Sequence, residues 1–155
     1  MAKRKTQRNV FPQFIFILYC AVMLWLLFFR SAGWVTGMTY HEQLQHNINL
    51  TPLYTIESYW NVVFHRTNDS AFVHCVINLA GNVILFIPAG YLIPKLWQKQ
   101  RNYLRFFATC FGIMFFIEAL QLFTLLGSFD VDDLILNLAG MTIGFIGFHL
   151  FSKKK

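Results

Sequence analysis

An uninterrupted apolar run, Phe11 to Phe29, constrains this chain more than any other feature: nineteen residues pass without a charge. As a helix rising ~1.5 Å per residue it is ~28 Å long, close to the thickness of a bilayer's hydrocarbon core. No water is available there to satisfy backbone N–H and C=O groups, so a spanning segment has to be helical. The alternative is a secretory signal peptide, because Lys3, Arg4, Lys5 and Arg8 precede the run. Such a peptide has an apolar core of about 7–15 residues followed by a small-residue cleavage site. This run is longer and ends in Phe28-Phe29-Arg30, so it reads as a retained anchor.

Three more runs of spanning length follow, at about 71–94, 103–126 and 134–151. Only 13% of the residues are charged, about half the fraction of a soluble domain. The deficit fits lipid-facing surface rather than a large water-soluble core. The expected fold is all-α: a four-transmembrane-helix bundle forming one membrane domain over residues 1–155. Pro88 lies inside the second run, where its missing N–H predicts a kink or a thinned turn.

Charge sets the orientation. Lys3, Arg4, Lys5 and Arg8, then Lys95, Lys99, Arg101 and Arg105, then Lys153, Lys154 and Lys155 fall on one side if every run crosses once. Only Arg30 and Arg66 fall on the other, together with every acid except Glu118. By the positive-inside rule the basic side is cytoplasmic, and with it both termini. The ~40-residue connection from Arg30 to Ser70 is then extracytoplasmic. Within it Tyr59–Phe64 reads as a short interfacial helix, because Trp and Tyr favour that depth. The net charge of +6 is clustered between spans and forms neither a recognition helix nor a basic stripe, which excludes nucleic acid as a partner. Cys20, Cys75 and Cys110 match no zinc spacing and read as small apolar residues.

The polar residues inside the spans carry the functional information. A charge at mid-bilayer costs at least about 2.5–3.5 kcal/mol on insertion scales, which singles out Glu118. Gln121 shares its helix face three residues on, and His74, Asn78 and Asn82 form a stripe at spacings of four. Asn137 follows Asp133 by four in the last span. These groups cluster in the outer halves of spans two to four, beneath the loop Gly127–Asp133. They predict an outward-facing polar pocket, with Asn78, Asn82, Gln121, Asp130, Asp132 and Asn137 as binding residues and Glu118 with Asp133 as a candidate acid/base pair. A plainer account makes the amides interhelical glue, at about 0.6 kcal/mol each.

The acid trio also has two readings. Asp130 suits the N-cap of the last helix, with Asp132 and Asp133 in a first turn that favours negative charge. Alternatively Asp130, Asp132 and Asp133 hold a divalent cation, since hard cations take several oxygen ligands. The sequence offers no His-rich zinc set, and no cofactor is expected otherwise. The small residues Gly140, Gly144 and Gly147 form a close-packing face, expected to act within the chain rather than in a dimer.

Three motifs together are specific. Asn78–Tyr91 (NLAGNVILFIPAGY), Glu118-Ala119-Leu120-Gln121 and Phe129–Gly140 (FDVDDLILNLAG) resemble, in order and spacing, the signature elements of the VanZ-like family. Asn49-Leu50-Thr51-Pro52-Leu53 is similar to the family's shorter Asn-Leu-x-Pro-Phe element, with Leu53 in place of Phe. The family often has an Arg just before the Phe-Asp pair, whereas this chain has Gly127-Ser128, so an anion-binding role for that Arg is either missing here or passes to Arg30 or Arg66. The resemblance covers about residues 15–150. It implies a bacterial cell-membrane protein, and it carries an association with resistance to teicoplanin, a glycopeptide that acts at the outer surface.

Two functions of different class follow. One is an envelope protein that binds or modifies a lipid-linked or cell-wall component in the outer leaflet, with membrane lipids or the glycopeptide as partners. The other is a non-enzymatic accessory protein that alters antibiotic access or assists a partner. A transporter is disfavoured, since four spans show no inverted repeat.

Overall fold

The computed structural model describes residues 10–29, 35–54, 57, 60, 64 and 69–152. Helix α1 spans Phe11–Phe29 and the short α2 spans Tyr40–His46. Helix α3 runs Asp69–Leu96, and a 3-10 turn at Gln98–Arg101 leads into α4, Tyr103–Thr124. Helix α5 runs Val131–Ser152. Of these, α1, α3, α4 and α5 are long and apolar enough to cross a membrane, giving the four-helix membrane bundle that the apolar runs predict.

Helix ends shift from the expected bounds for local reasons. Helix α4 stops at Thr124 because Leu125 turns left-handed (φ 55°) and its N–H returns to the carbonyls of Gln121 and Leu122. Helix α5 begins at Val131 because the Asp130 Oδ1 accepts the Asp132 N–H at 2.8 Å, a cap for the first turn. Asp132 and Asp133 occupy that turn. Helix α3 continues through both Pro88 and Pro94. At Pro88 the Tyr19 hydroxyl donates to the Leu85 carbonyl at 2.8 Å, within the turn that the proline weakens.

Helices α3 and α5 meet backbone to backbone. A Cβ on Gly140 would strike the Val83 carbonyl, one on Gly144 the Ile87 carbonyl, and one on Gly90 the Met141 carbonyl. The small face of α5 is thus used inside the chain, while Gly147 has open space beside it. Phe106, Cys110 and Met114 of α4 are fully buried against Phe86, Met141 and Phe145. Helix α1 is the least enclosed of the four spans. It is fastened at both ends: Phe16 sets its ring edge-on to Trp97 at 5.2 Å, and the Gln121 Nε2 donates to the Leu27 carbonyl at 2.8 Å.

The connection after α1 folds back over the bundle end opposite the termini. Thr39 and Glu42 form a capping box at the start of α2. The Thr39 backbone N–H and then its hydroxyl hold the Glu42 carboxyl below its ordinary range. Gln43 is fully buried; its Oε1 accepts the Val35 N–H at 3.1 Å and its Nε2 donates to Asn47 Oδ1 at 3.2 Å. The Asn47 carbonyl accepts the Phe129 N–H at 2.8 Å. Strand β1 (Ile48–Asn49) then pairs in parallel with β2 (Phe129–Asp130), with Asn49 opposite Asp130. The segment expected to be interfacial, Tyr59–Phe64, lies mostly outside the described residues, although the Trp60 and Phe64 rings meet at 4.5 Å with their planes tilted by 40°. The side chains of His74 and Cys75, and both Arg30 and Arg66, also lie outside them.

Candidate functional site

A cavity of about 260 Å³ opens among α1, α3, α4 and α5 near the bundle end that faces away from the termini. Its polar wall is made by Asn78, Asn82, Glu118, Gln121, Asp133 and Asn137, and Asp130 lies at its edge with Gly127 and Ser128. The stripe spacing on α3 and the three-residue step on α4 turn these side chains the same way, so residues far apart in sequence converge.

Glu118 is 3% exposed. Among the described residues it accepts a single hydrogen bond, a long one of 3.4 Å from the Asp130 N–H to Oε2. With α4 ending at Thr124, the carboxyl sits ~9 Å in from the helix end. Across the cavity, Asn82 Nδ2 donates to Asp133 Oδ1 at 2.5 Å, which ties α3 to the first turn of α5. Asn137 is 1% exposed, and its Oδ1 has no hydrogen-bond partner among the described residues. A buried acceptor left in that state costs about 1–3 kcal/mol. Gln121 lines the cavity, but its Nε2 is committed to the Leu27 carbonyl.

The acid trio divides its work. Asp130 uses Oδ1 to cap α5, while Oδ2 accepts from Asn49 Nδ2 at 3.3 Å. Asp133 takes the Asn82 amide. Asp132 stands apart from the other residues read as binding groups: it is fully buried away from the cavity lining, and its Oδ1 accepts the Leu53 N–H at 2.5 Å. Leu53 has φ 67°, a left-handed turn that aims its N–H at α5. Asp132 is thus separated from the cavity that Asp130 and Asp133 share, and among the described residues no group of three or more His, Cys, Asp and Glu side chains is placed to hold a metal ion. Asp132→Ala is expected to cost about 1–3 kcal/mol by orphaning the Leu53 N–H. Asp132→Asn, which keeps an accepting oxygen, should cost clearly less. Thermal melting of the purified variants compares the two, and equal losses would remove the backbone role.

Sequence reasoning missed two parts of this site. Met23, Leu26 and Leu27 of α1 form part of its apolar wall. Nothing polar marks them, because lipid-facing and cavity-facing apolar residues read alike. The cover from Asn47 and Asn49 was missed as well. Its available signals were the Thr39-x-x-Glu42 capping pattern and the Asn49–Leu53 element, both ahead of an otherwise mixed stretch.

The geometry can be set beside known proteins. Residues 16–152 match the family described as VanZ/LLP1. The chain is 27% identical over 135 residues to Protein VanZ of Enterococcus faecium, an alignment covering 86% of this chain and 69% of that protein. No solved structure matches it. With the family pattern running through every element that builds the cavity, the chain belongs to the VanZ/LLP1 family.

Proposed function

We propose that this chain acts in the cell envelope, binding or modifying a lipid-linked or cell-wall component in a cavity that faces outward, and that it contributes in this way to glycopeptide (teicoplanin) resistance. The observation that carries the reading is that one cavity is lined by the buried Glu118 carboxyl and by Asn137, whose amide oxygen has no partner among the described residues. A group this costly in a membrane is retained where it does something other than fill space. Glu118 would anchor the ligand or exchange a proton with it, and Asp133, held by Asn82, is the second carboxyl within the same wall.

The non-enzymatic reading is favoured by one observation: Asn82, Gln121 and Asp130 each join one element to another. Glu118→Gln separates the two. Gln preserves the shape and an accepting oxygen but cannot ionise. Full teicoplanin tolerance in cells carrying Glu118→Gln supports a binding or accessory role, and loss of tolerance with normal membrane abundance supports acid/base chemistry. If even Glu118→Ala leaves tolerance unchanged, the cavity has no part in it.

Orientation is part of the same proposal: cell membrane, with both termini cytoplasmic. A cysteine placed at Leu50 in a background without Cys20, Cys75 and Cys110 should react with an impermeant maleimide in intact cells. One placed at Lys99 should react only after permeabilisation. The reverse pattern would put the cavity on the cytoplasmic face.

A further inference from the structure

Directly beneath the polar cavity lies a second, apolar one of about 490 Å³, between α1, α3 and α4. That volume is within the usual ligand-pocket range of about 300–1,000 Å³. Its walls run from Ile117 down to Thr109, ~12 Å along α4. Tyr19, Cys20 and Leu24 close it on the α1 side. Met23, Leu27 and Phe86 line both cavities, so these side chains stand where the polar space meets the apolar one. Two of the three are unbranched or flexible enough to move aside, and Met adapts most readily.

We propose that the two cavities form one slot for a single membrane lipid: a head bearing hydrogen-bond donors lies against Glu118 and Asn137, and one chain descends past Met23 and Phe86 into the apolar cavity. The inference rests on reading the polar cavity as a binding site, and it adds the class of ligand. The head chemistry follows from the wall. Asn137 Oδ1 is a buried acceptor without a donor among the described residues, and Glu118 accepts only one long bond from them. An ammonium, hydroxyl or amide donor completes both, and the Asn137 oxygen, an acceptor in every state, is not completed by a head that offers acceptors alone. The chain chemistry follows from continuity. A headgroup held in the upper cavity places its chain at the shared wall, and the space below that wall is almost wholly apolar.

The test uses the full chain in phosphatidylglycerol vesicles with a trace of chain-spin-labelled phosphatidylethanolamine or phosphatidylcholine. These heads differ in N–H donors, which the ethanolamine has and the choline lacks. Electron paramagnetic resonance should show a motionally restricted component that favours the ethanolamine lipid by about fivefold, the worth of one added hydrogen bond. Asn137→Leu should bring the two lipids level. Cys20→Trp, and independently Leu24→Trp at a half-exposed position, should fill the apolar cavity and remove the restricted component. If Asn137→Leu acts while both tryptophan variants leave the restriction intact, the slot is overturned and the polar site stands. If wild type shows no preference, or Asn137→Leu does not alter one, the slot and the binding reading beneath it both fall.

Discussion

Gly140→Val is expected to destabilise the folded bundle by about 3 kcal/mol or more, at the upper end of what overpacking costs. The reason is the target of the added atoms. A Cβ at Gly140 meets the carbonyl of Val83, which is backbone and cannot rotate away as a side chain would. Relief requires α3 and α5 to separate. Gly90 and Gly144 impose the same limit along the crossing, at Met141 and Ile87. Without a strong hydrophobic drive between helices in lipid, close packing of this kind supplies much of the association. Separation would also pull Asn82 from Asp133 and so open the cavity wall. Gly147→Val is the control, because a Cβ added to that glycine, on the same helix, would meet nothing within 4 Å. Thermal melting in detergent should therefore show a large loss for Gly140→Val, a similar one for Gly144→Val, and little change for Gly147→Val. Equal melting of all three would mean that α3 and α5 do not meet as described.

Much of this architecture is legible in the sequence because the bilayer allows few alternatives. An uncharged run of nineteen residues such as Phe11–Phe29 has one stable conformation in lipid. The polar stripe is legible for the same reason: Asn78, Asn82 and Glu118 stand out against an apolar background that makes them expensive. Legibility stops where the background stops. Between Arg30 and Ser70 polar and apolar residues are mixed, so nothing there distinguishes Gln43, which is fully buried, from Gln45, which is exposed. The pairing of Asn49 with Asp130 joins residues 81 apart through a two-residue ladder, far below the length at which alternation is readable. The apolar cavity is hidden for the opposite reason. Cys20, Leu24 and Ile113 look like lipid-facing residues, and only the placement of α1 against α4 turns them into a wall.

The Asn82–Asp133 contact invites the sharpest test of whether these polar groups hold the fold or do chemistry. Asn82→Asp replaces a donor with a second carboxylate at hydrogen-bond distance from the first. Like charges that close at a part-buried contact repel, and a loss of about 1–3 kcal/mol is expected from replacing the amide donor by a second carboxylate. Teicoplanin tolerance should disappear with it. Asp133→Asn alone is milder, because an amide oxygen still accepts from Asn82. The exchange of both, Asn82→Asp with Asp133→Asn, restores one donor facing one acceptor and should recover most of the lost stability, a non-additivity that a double-mutant cycle measures. What tolerance does in the exchanged pair is the decisive reading. Recovery alongside stability marks the contact as a clip between α3 and α5, with no demand on which side carries the charge. Recovery of melting temperature without tolerance means that a carboxylate is needed on the first turn of α5 itself, where the helix N-terminus favours negative charge and where it shares the cavity wall with Glu118. If Asn82→Asp melts like wild type, the contact does not exist, and the wall of the proposed site loses the bond that holds it closed.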